Sequence, residues 1–487
     1  MSHTSSTLEI ELLETLDYGA NEMNGPDYNN RFGAGVNGSL IHPFVLIMTI
    51  IAAILMLVLP RKYVVVPCLL TIFLTPFGQE VYFAGAHVFV PRILILFGWI
   101  RIAITKISSR TEFAAGGFTS VDKIFLLWAI IRATATYLEF MQVGAIVNQC
   151  GFLIDSVGGF FLLRFFIRDE EDIVRVTKTF AYIVAILAVS MLIEKLQAEN
   201  LFGFIGGRLS PFVRDGAIRS QGSFEGPIPA GTFAGTMLCV FVWLWSDGKA
   251  RFFGILGLIG AGIMVITSAS STPLVTTVGA LVGIAMWPLR GKMRVVRWGM
   301  VILLVSLHLV MKAPVWFLIN RVDLIAGNSG YHRALLIDMC INHFRDWWLI
   351  GVQSTQNWGW DMWDQANQFV FEAESGGLAT LICFVLLISR SFGRIGNARR
   401  LVDGDAKKEW MLWLFGSALF SYVVGFFGIS YGDQLTFAWF SMLALISAAT
   451  TGILQQKAVM STPPELVRVG SRLAYTTPVL SRTRVRS

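Results

Sequence analysis

Two stretches of this chain combine residues suited to chemistry on a phosphorylated ligand. The first runs Arg214-Asp-Gly-Ala-Ile-Arg219-Ser-Gln-Gly-Ser-Phe-Glu-Gly-Pro227. The second runs from Arg321 through His332-Arg333 to Asp364-Gln-Ala-Asn367 and Glu372-Ala-Glu374. Across the two segments the cations are mostly arginine: Arg208, Arg214, Arg219, Arg321, Arg333 and Arg345. A guanidinium grips phosphate through two parallel N–H groups, whereas an ammonium acts as a point charge. Glycine and serine beside Arg219 let the backbone come close to a ligand. Singly, each arginine also suits lipid-phosphate contact or a loop ion pair. As a group they suit an anion site.

The carboxylates supply the complementary function. The second stretch carries Asp361, Asp364, Glu372 and Glu374, and a carboxylate there is suited to take a proton from an attacking hydroxyl. At helical spacing Asp364, Asn367 and Phe371 share a face. Capping of a helix start would equally explain them. His332 and His343 flank Arg333 without any ligand spacing, so no metal is expected and His332 is grouped with the arginines. Arg132 and Asp155 lie in apolar runs, where a charge needs a partner. They are expected to pair with each other.

The elements that must position these residues follow from composition. Of 487 residues, 54% are apolar and 15% charged, with a mean hydropathy of +0.62. Soluble proteins carry about 25% charge, so a soluble multidomain enzyme, a disordered chain and a fibrous repeat are excluded. Thirteen apolar runs near bilayer length occur, at about 42–60, 63–77, 87–105, 123–140, 143–167, 173–193, 227–246, 252–268, 273–289, 297–313, 375–392, 410–429 and 433–454. Backbone groups in lipid must bond internally, so each run is expected to be a helix. The expected fold is an all-α polytopic membrane protein of about 12–13 spans, with a large extracytoplasmic loop between the tenth and eleventh. Its expected divisions are an acidic N-terminal tail (1–41), a membrane domain (42–454) with outward loops 194–226 and 314–374, and a basic cytoplasmic tail (455–487).

The net charge is +7, but the cations fall in short loops, so they mark topology rather than a nucleic-acid surface. With the N-terminus outside, 27 Lys and Arg face inward and 9 outward. That asymmetry places both chemistry-bearing segments on the extracytoplasmic side. Six tryptophans in 314–374 argue for a folded cap there. The five cysteines show no metal or redox spacing, and no phosphate-binding P-loop occurs.

The order of these features resembles the bacterial O-antigen ligase and O-antigen polymerase superfamily. Arg168-Asp-Glu-Glu-Asp172 through to Glu194 is similar to its charged entry and glutamate exit. Arg219 to Pro227 is similar to its R-x-x-G-x-F-x-x-P loop. Tyr331-His-Arg333, Trp348-Leu-Ile-Gly351 and Asn367-Gln-Phe369 through Gly376-Gly377-Leu378 are similar to its large loop. The ligase branch has histidine where this chain has Ala366, and Gln353 replaces the second glycine of a G-x-G. Ala366 favours a polymerase-like or divergent relative.

The resemblance implies glycan transfer from an undecaprenyl-pyrophosphate donor to a glycan acceptor at the outer face of the bacterial inner membrane. Partners would be membrane lipid and a polysaccharide assembly complex, with no nucleic acid. The donor is already activated, so no metal or other cofactor is required. Arg219 and Arg333 would hold the pyrophosphate with Arg214, Arg321 and His332 in support. Asp364, Glu374 and Asn367 would serve the acceptor. The rival expectation is a transporter or flippase for a lipid-linked or polar solute, which calls for polar residues along a path through the bilayer.

Overall fold

The computed structural model describes residues 39–83, 86–108, 113–248, 250–321, 329–364, 366–402, 404–461, 466–469 and 472–475. Most of the acidic N-terminal tail and of the basic C-terminal tail lies outside the described residues. Every one of the thirteen apolar runs is helical. The helices are α1 (Pro43–Val58), α2 (Val65–Leu74), α3 (Val90–Ser108), α4 (Ser120–Phe140), α5 (Val143–Leu153), α6 (Gly159–Phe166) and α7 (Glu170–Gln197). They continue with α8 (Pro227–Asp247), α9 (Arg251–Thr267), α10 (Ser271–Ala285) and α11 (Met293–Val310). After the short α12 (Leu318–Arg321), α13 (Ser329–Asn342) and α14 (Phe344–Trp347) come α15 (Gln368–Leu401), α16 (Ala406–Phe426) and α17 (Asp433–Ser461). A π turn, Ile154–Gly158, joins α5 to α6.

Seven helices among the described residues are long and apolar enough to cross a membrane: Val143–Phe166, Glu170–Gln197, Pro227–Asp247, Trp287–Val310, Gln368–Leu401, Ala406–Phe426 and Asp433–Gln455. Pro43–Val58, Arg251–Thr267 and Ser271–Ala285 are apolar but shorter. The run expected at 63–77 forms a helix of only 10 residues. At 1.5 Å per residue it covers about half of a ~30 Å hydrocarbon layer. The chain is thus a largely helical, membrane-embedded protein whose count of full-length helices is lower than the count of apolar runs. Three antiparallel hairpins depart from an all-helical fold: β1 (Glu80–Phe83) with β2 (Ala86–Phe89), β3 (Phe212–Arg214) with β4 (Ala217–Arg219), and β5 (Leu466–Val469) with β6 (Arg472–Tyr475).

Helix starts obey local chemistry. Thr119 and Asp122 form a reciprocal capping box at α4. Asp169 caps α7, whose first turn carries Glu170, Glu171 and Asp172. Pro227 opens α8, where a missing N–H costs nothing.

Contacts sort the connections into two ends. At one end Arg61 of the α1–α2 link meets Asp172 at 3.3 Å, and Arg290 of the link before α11 meets Glu409 in the first turn of α16 at 3.1 Å. At the other end Gln434 donates to the carbonyls of Thr75 and Ser223, each at 3.1 Å, and Gln79 donates to the carbonyl of Gly206 at 2.8 Å. Within segment 314–374, Leu336, Cys340, Trp347, Trp358, Met362 and Val370 share a small core. The segment's last residues already belong to α15.

Candidate functional site

Arg219 ends β4, and its neighbours are fixed from three helices. The buried Glu194 near the end of α7 accepts the backbone N–H of Gln221 at 3.1 Å and of Gly222 at 3.0 Å. Ser220 N donates to Thr267 O of α9 at 3.0 Å, and Ser223 Oγ donates to Phe73 O of α2 at 2.6 Å. Phe224 completes an aromatic group with Phe73 and Phe233. The loop expected to bring its backbone close to a ligand is buried from Ser220 to Phe224, and it serves to hold Arg219 in place.

Arg219 itself is half-buried. Its Nη2 donates to Ser270 Oγ at the start of α10. Its Nε is buried and makes no hydrogen bond among the described residues. Burial pushes the Arg219 guanidinium below its ordinary value, and the positive charges of Arg214 and Arg333 push the same way, against Asp215. Two arginines from sequence-distant elements, β4 and α13, thus act on each other. Like charges within electrostatic reach of each other cost free energy that a bound anion would offset.

Arg333 is buried in α13 and also acts on Asp364. Asp364 lies before α15 in a turn begun by Asp361, which has a left-handed φ of 60°. The expected helical face shared by Asp364, Asn367 and Phe371 is not formed, because α15 starts only at Gln368. Burial raises the Asp364 carboxyl above the usual carboxylate range; His332 lowers it, Asp361 raises it and Arg333 lowers it. His332 Nε2 lies 2.8 Å from Asp361 O. Arg219, Arg333, His332 and Asp364 therefore form one electrostatic cluster.

The remaining expected residues divide. Arg214 is exposed at the cluster's edge, 3.8 Å from Asp215. Arg321 is exposed at the end of α12, and among the described residues no ion pair joins it to the cluster. Asn367 is the cap of α15: its Oδ1 accepts Phe369 N at 2.9 Å and Val370 N at 3.3 Å. Its Nδ2 is buried with no partner among the described residues. Glu374 is buried two residues before a break in α15 at Gly376 and Gly377.

The expected Arg132–Asp155 pair does not form. The π turn presents Asp155 to Arg92 of α3, with N–O distances of 2.8 to 3.1 Å. Arg132 of α4 instead lies 3.6 Å from Glu372, which is 0% exposed. Glu372 also accepts Trp128 Nε1 at 2.8 Å and Gln368 Nε2 at 2.7 Å. Both pairs line a cavity of about 220 Å³ between α3, α4, α5, α15 and α17, which also exposes Asp433. Its wall includes the first residue of α15, Gln368, four residues beyond Asp364.

Ser270 and Arg92 were not among the residues singled out for chemistry. Ser270 had a signal in the polar run Thr267-Ser-Ala-Ser-Ser-Thr272 between two apolar runs. Arg92 had one as a cation near the start of the apolar run 87–105. In comparisons with known proteins, no family model matches the chain and no curated protein matches it.

Proposed function

We propose that this protein is a metal-independent membrane glycosyltransferase that polymerises or ligates polysaccharide repeat units. The donor is a glycan on undecaprenyl pyrophosphate, and the reaction takes place at the outer face of the bacterial inner membrane. What supports this reading is that the Arg219 and Arg333 charges act on each other and that Arg333 also acts on Asp364. The resemblance to O-antigen polymerases and ligases supplies the reaction class.

In that reaction an acceptor hydroxyl attacks the anomeric carbon. A carbon–oxygen bond forms there as the bond to the lipid pyrophosphate breaks. The hydroxyl proton passes to Asp364, and the charge growing on the pyrophosphate is met by Arg219 and Arg333. Ser270 and the Glu194-held loop keep Arg219 in position before the substrate arrives, so little reorganisation is left for the reaction step.

The test is replacement of Arg219 or Arg333 by Lys, with membrane level confirmed and glycan chain length assayed. Charge is kept and the planar fork is lost, so both variants should make short or no polymer. Full-length polymer from both would remove this reading. A transporter or flippase is the second reading, favoured by the cavity with its two ion pairs. It expects proteoliposomes to move a labelled lipid-linked sugar across the bilayer without lengthening it.

A further inference from the structure

The cavity carries chemistry that pyrophosphate binding leaves unused. Its wall holds three carboxylates, Asp155, Glu372 and Asp433, against two guanidinium groups, Arg92 and Arg132. Asp155 and Glu372 are paired. Asp433 has no ion pair among the described residues and projects into the cavity, within electrostatic reach of Arg92, Asp155 and Glu225. Its backbone is left-handed at φ 39°, a conformation costing on the order of 1 kcal/mol for a residue other than glycine. The opening residue of α17 is thus held in a costly shape.

This wall selects against several ligands. The surplus carboxylate repels a phosphate. No group of three His, Cys, Asp or Glu able to hold a metal ion occurs among the described residues. A purely apolar ligand would strand the Asp433 carboxylate without water. A volume of about 220 Å³ falls below the ~300 Å³ at which drug-sized pockets begin, so an extended glycan does not fit.

What fits is one ring whose hydroxyls both donate and accept. Asp433 offers acceptor oxygens. Arg92 commits three N–H groups to Asp155 and the His87 carbonyl, leaving two of its five. Phe437, Trp439 and Phe440 give an apolar wall for the C–H face of such a ring. The π turn that places Asp155 is a feature concentrated at functional sites.

We infer that the cavity receives a single neutral sugar ring, with Asp433 accepting a hydroxyl hydrogen and the Arg92 and Arg132 guanidinium groups donating to ring or hydroxyl oxygens. This rests on the glycosyltransferase reading and deepens it, because the ring is the terminal unit of the acceptor glycan.

The test uses the full chain in lipid nanodiscs. D-glucose, N-acetyl-D-glucosamine and L-rhamnose are examined by saturation-transfer NMR, and inorganic pyrophosphate by phosphorus line broadening. At least one sugar should receive magnetisation. Asp433→Asn should weaken it about tenfold or more, as expected for a lost hydrogen bond to a charged group. Thr436→Phe, which adds bulk to the cavity wall, should abolish it, and both variants should leave pyrophosphate broadening unchanged. No transfer to any of the three sugars, or transfer that survives both substitutions, overturns the inference. If Thr436→Phe does not elute as a folded protein, Asp433→Asn decides alone. Loss of pyrophosphate broadening by Arg219→Lys tests the donor site separately, so failure of either site is told from failure of the other.

Discussion

Glu194 holds Gly222 by its backbone: the carboxylate accepts the Gly222 N–H at 3.0 Å from a position with no solvent exposure. The same carboxylate takes the Gln221 N–H. A residue near the end of one long helix therefore fixes the loop that carries Arg219 three residues upstream. The pairing gives physical content to a glutamate and a glycine that stand 28 residues apart.

Removing that carboxylate should loosen the loop as well as the fold. Glu194→Ala strands two buried N–H groups, each costing about 1–3 kcal/mol. The variant should melt well below the parent in detergent and lose polymer synthesis together with stability. Glu194→Gln keeps one acceptor oxygen and should fall between the two. Thermal unfolding followed by size-exclusion fluorescence measures this, and an unaltered melting point for Glu194→Ala would refute the anchoring role.

Asp364 predicts a pH dependence of definite sign. Burial raises its carboxyl above the ordinary aspartate value of about 3.9. A general base must be ionised, so the transfer rate should fall as pH drops through the raised value. Asp364→Asn should lose the base contribution, roughly 10²–10⁴-fold, and with it the acid limb of the profile. The stability effect runs the other way. The folded chain binds this proton more tightly than the unfolded one, so the stabilisation is present at low pH and lost as pH rises from the ordinary value through the raised one. Above that window Asp364→Asn should melt higher than the parent, and the gap should close below it. An acid limb that persists in Asp364→Asn would exclude Asp364 as the base.

The helices were legible because their signal is local: a run of apolar residues long enough to be helical needs no knowledge of its neighbours. The tryptophan signal in 314–374 was legible only in part: Trp347 and Trp358 are buried in a small core, whereas Trp348, Trp360 and Trp363 are exposed. Partnerships were less accessible. Arg132 and Asp155 lie on successive apolar runs, yet each finds a different partner, because the π turn directs Asp155 toward Arg92 while α15 brings Glu372 to Arg132. Nothing in linear spacing reports a π turn or which face of α15 meets α4. Asn367 shows the other limit: its type suits substrate orientation and helix capping alike, and only the coordinates of Phe369 N and Val370 N show that its oxygen caps.

The break in α15 yields a prediction about backbone packing. Gly377 has a left-handed φ of 72°, and a Cβ there would stand 2.7 Å from the Leu349 carbonyl oxygen. Around it Val352 N donates to Glu374 O and Leu378 N to Trp348 O, both at 2.9 Å. The obstacle is backbone, which cannot turn aside. Gly377→Ala should destabilise by about 2 kcal/mol or more through strain and overpacking together. Gly396→Ala, in the same helix with open space at its Cβ, should be neutral or slightly stabilising. Equal melting points for the two variants would show that the break tolerates a side chain.

The Arg132–Glu372 pair separates structural from functional charge. Glu372 is fully buried and also holds Trp128 and Gln368, while Arg132 lies over the Phe371 ring at 4.6 Å. Deleting one partner leaves the other charge unpaired in the bundle, a loss of about 3–5 kcal/mol. Arg132→Met and Glu372→Met should each give low yields of folded protein. The double variant should recover much of that loss, because two well-packed apolar side chains often replace a buried pair at little cost. Polymer synthesis then decides what the charges are for. If the pair only braces α4 against α15, the recovered double variant makes polymer of normal length. If Arg132 also donates to the ring held in the cavity, folding recovers and synthesis does not.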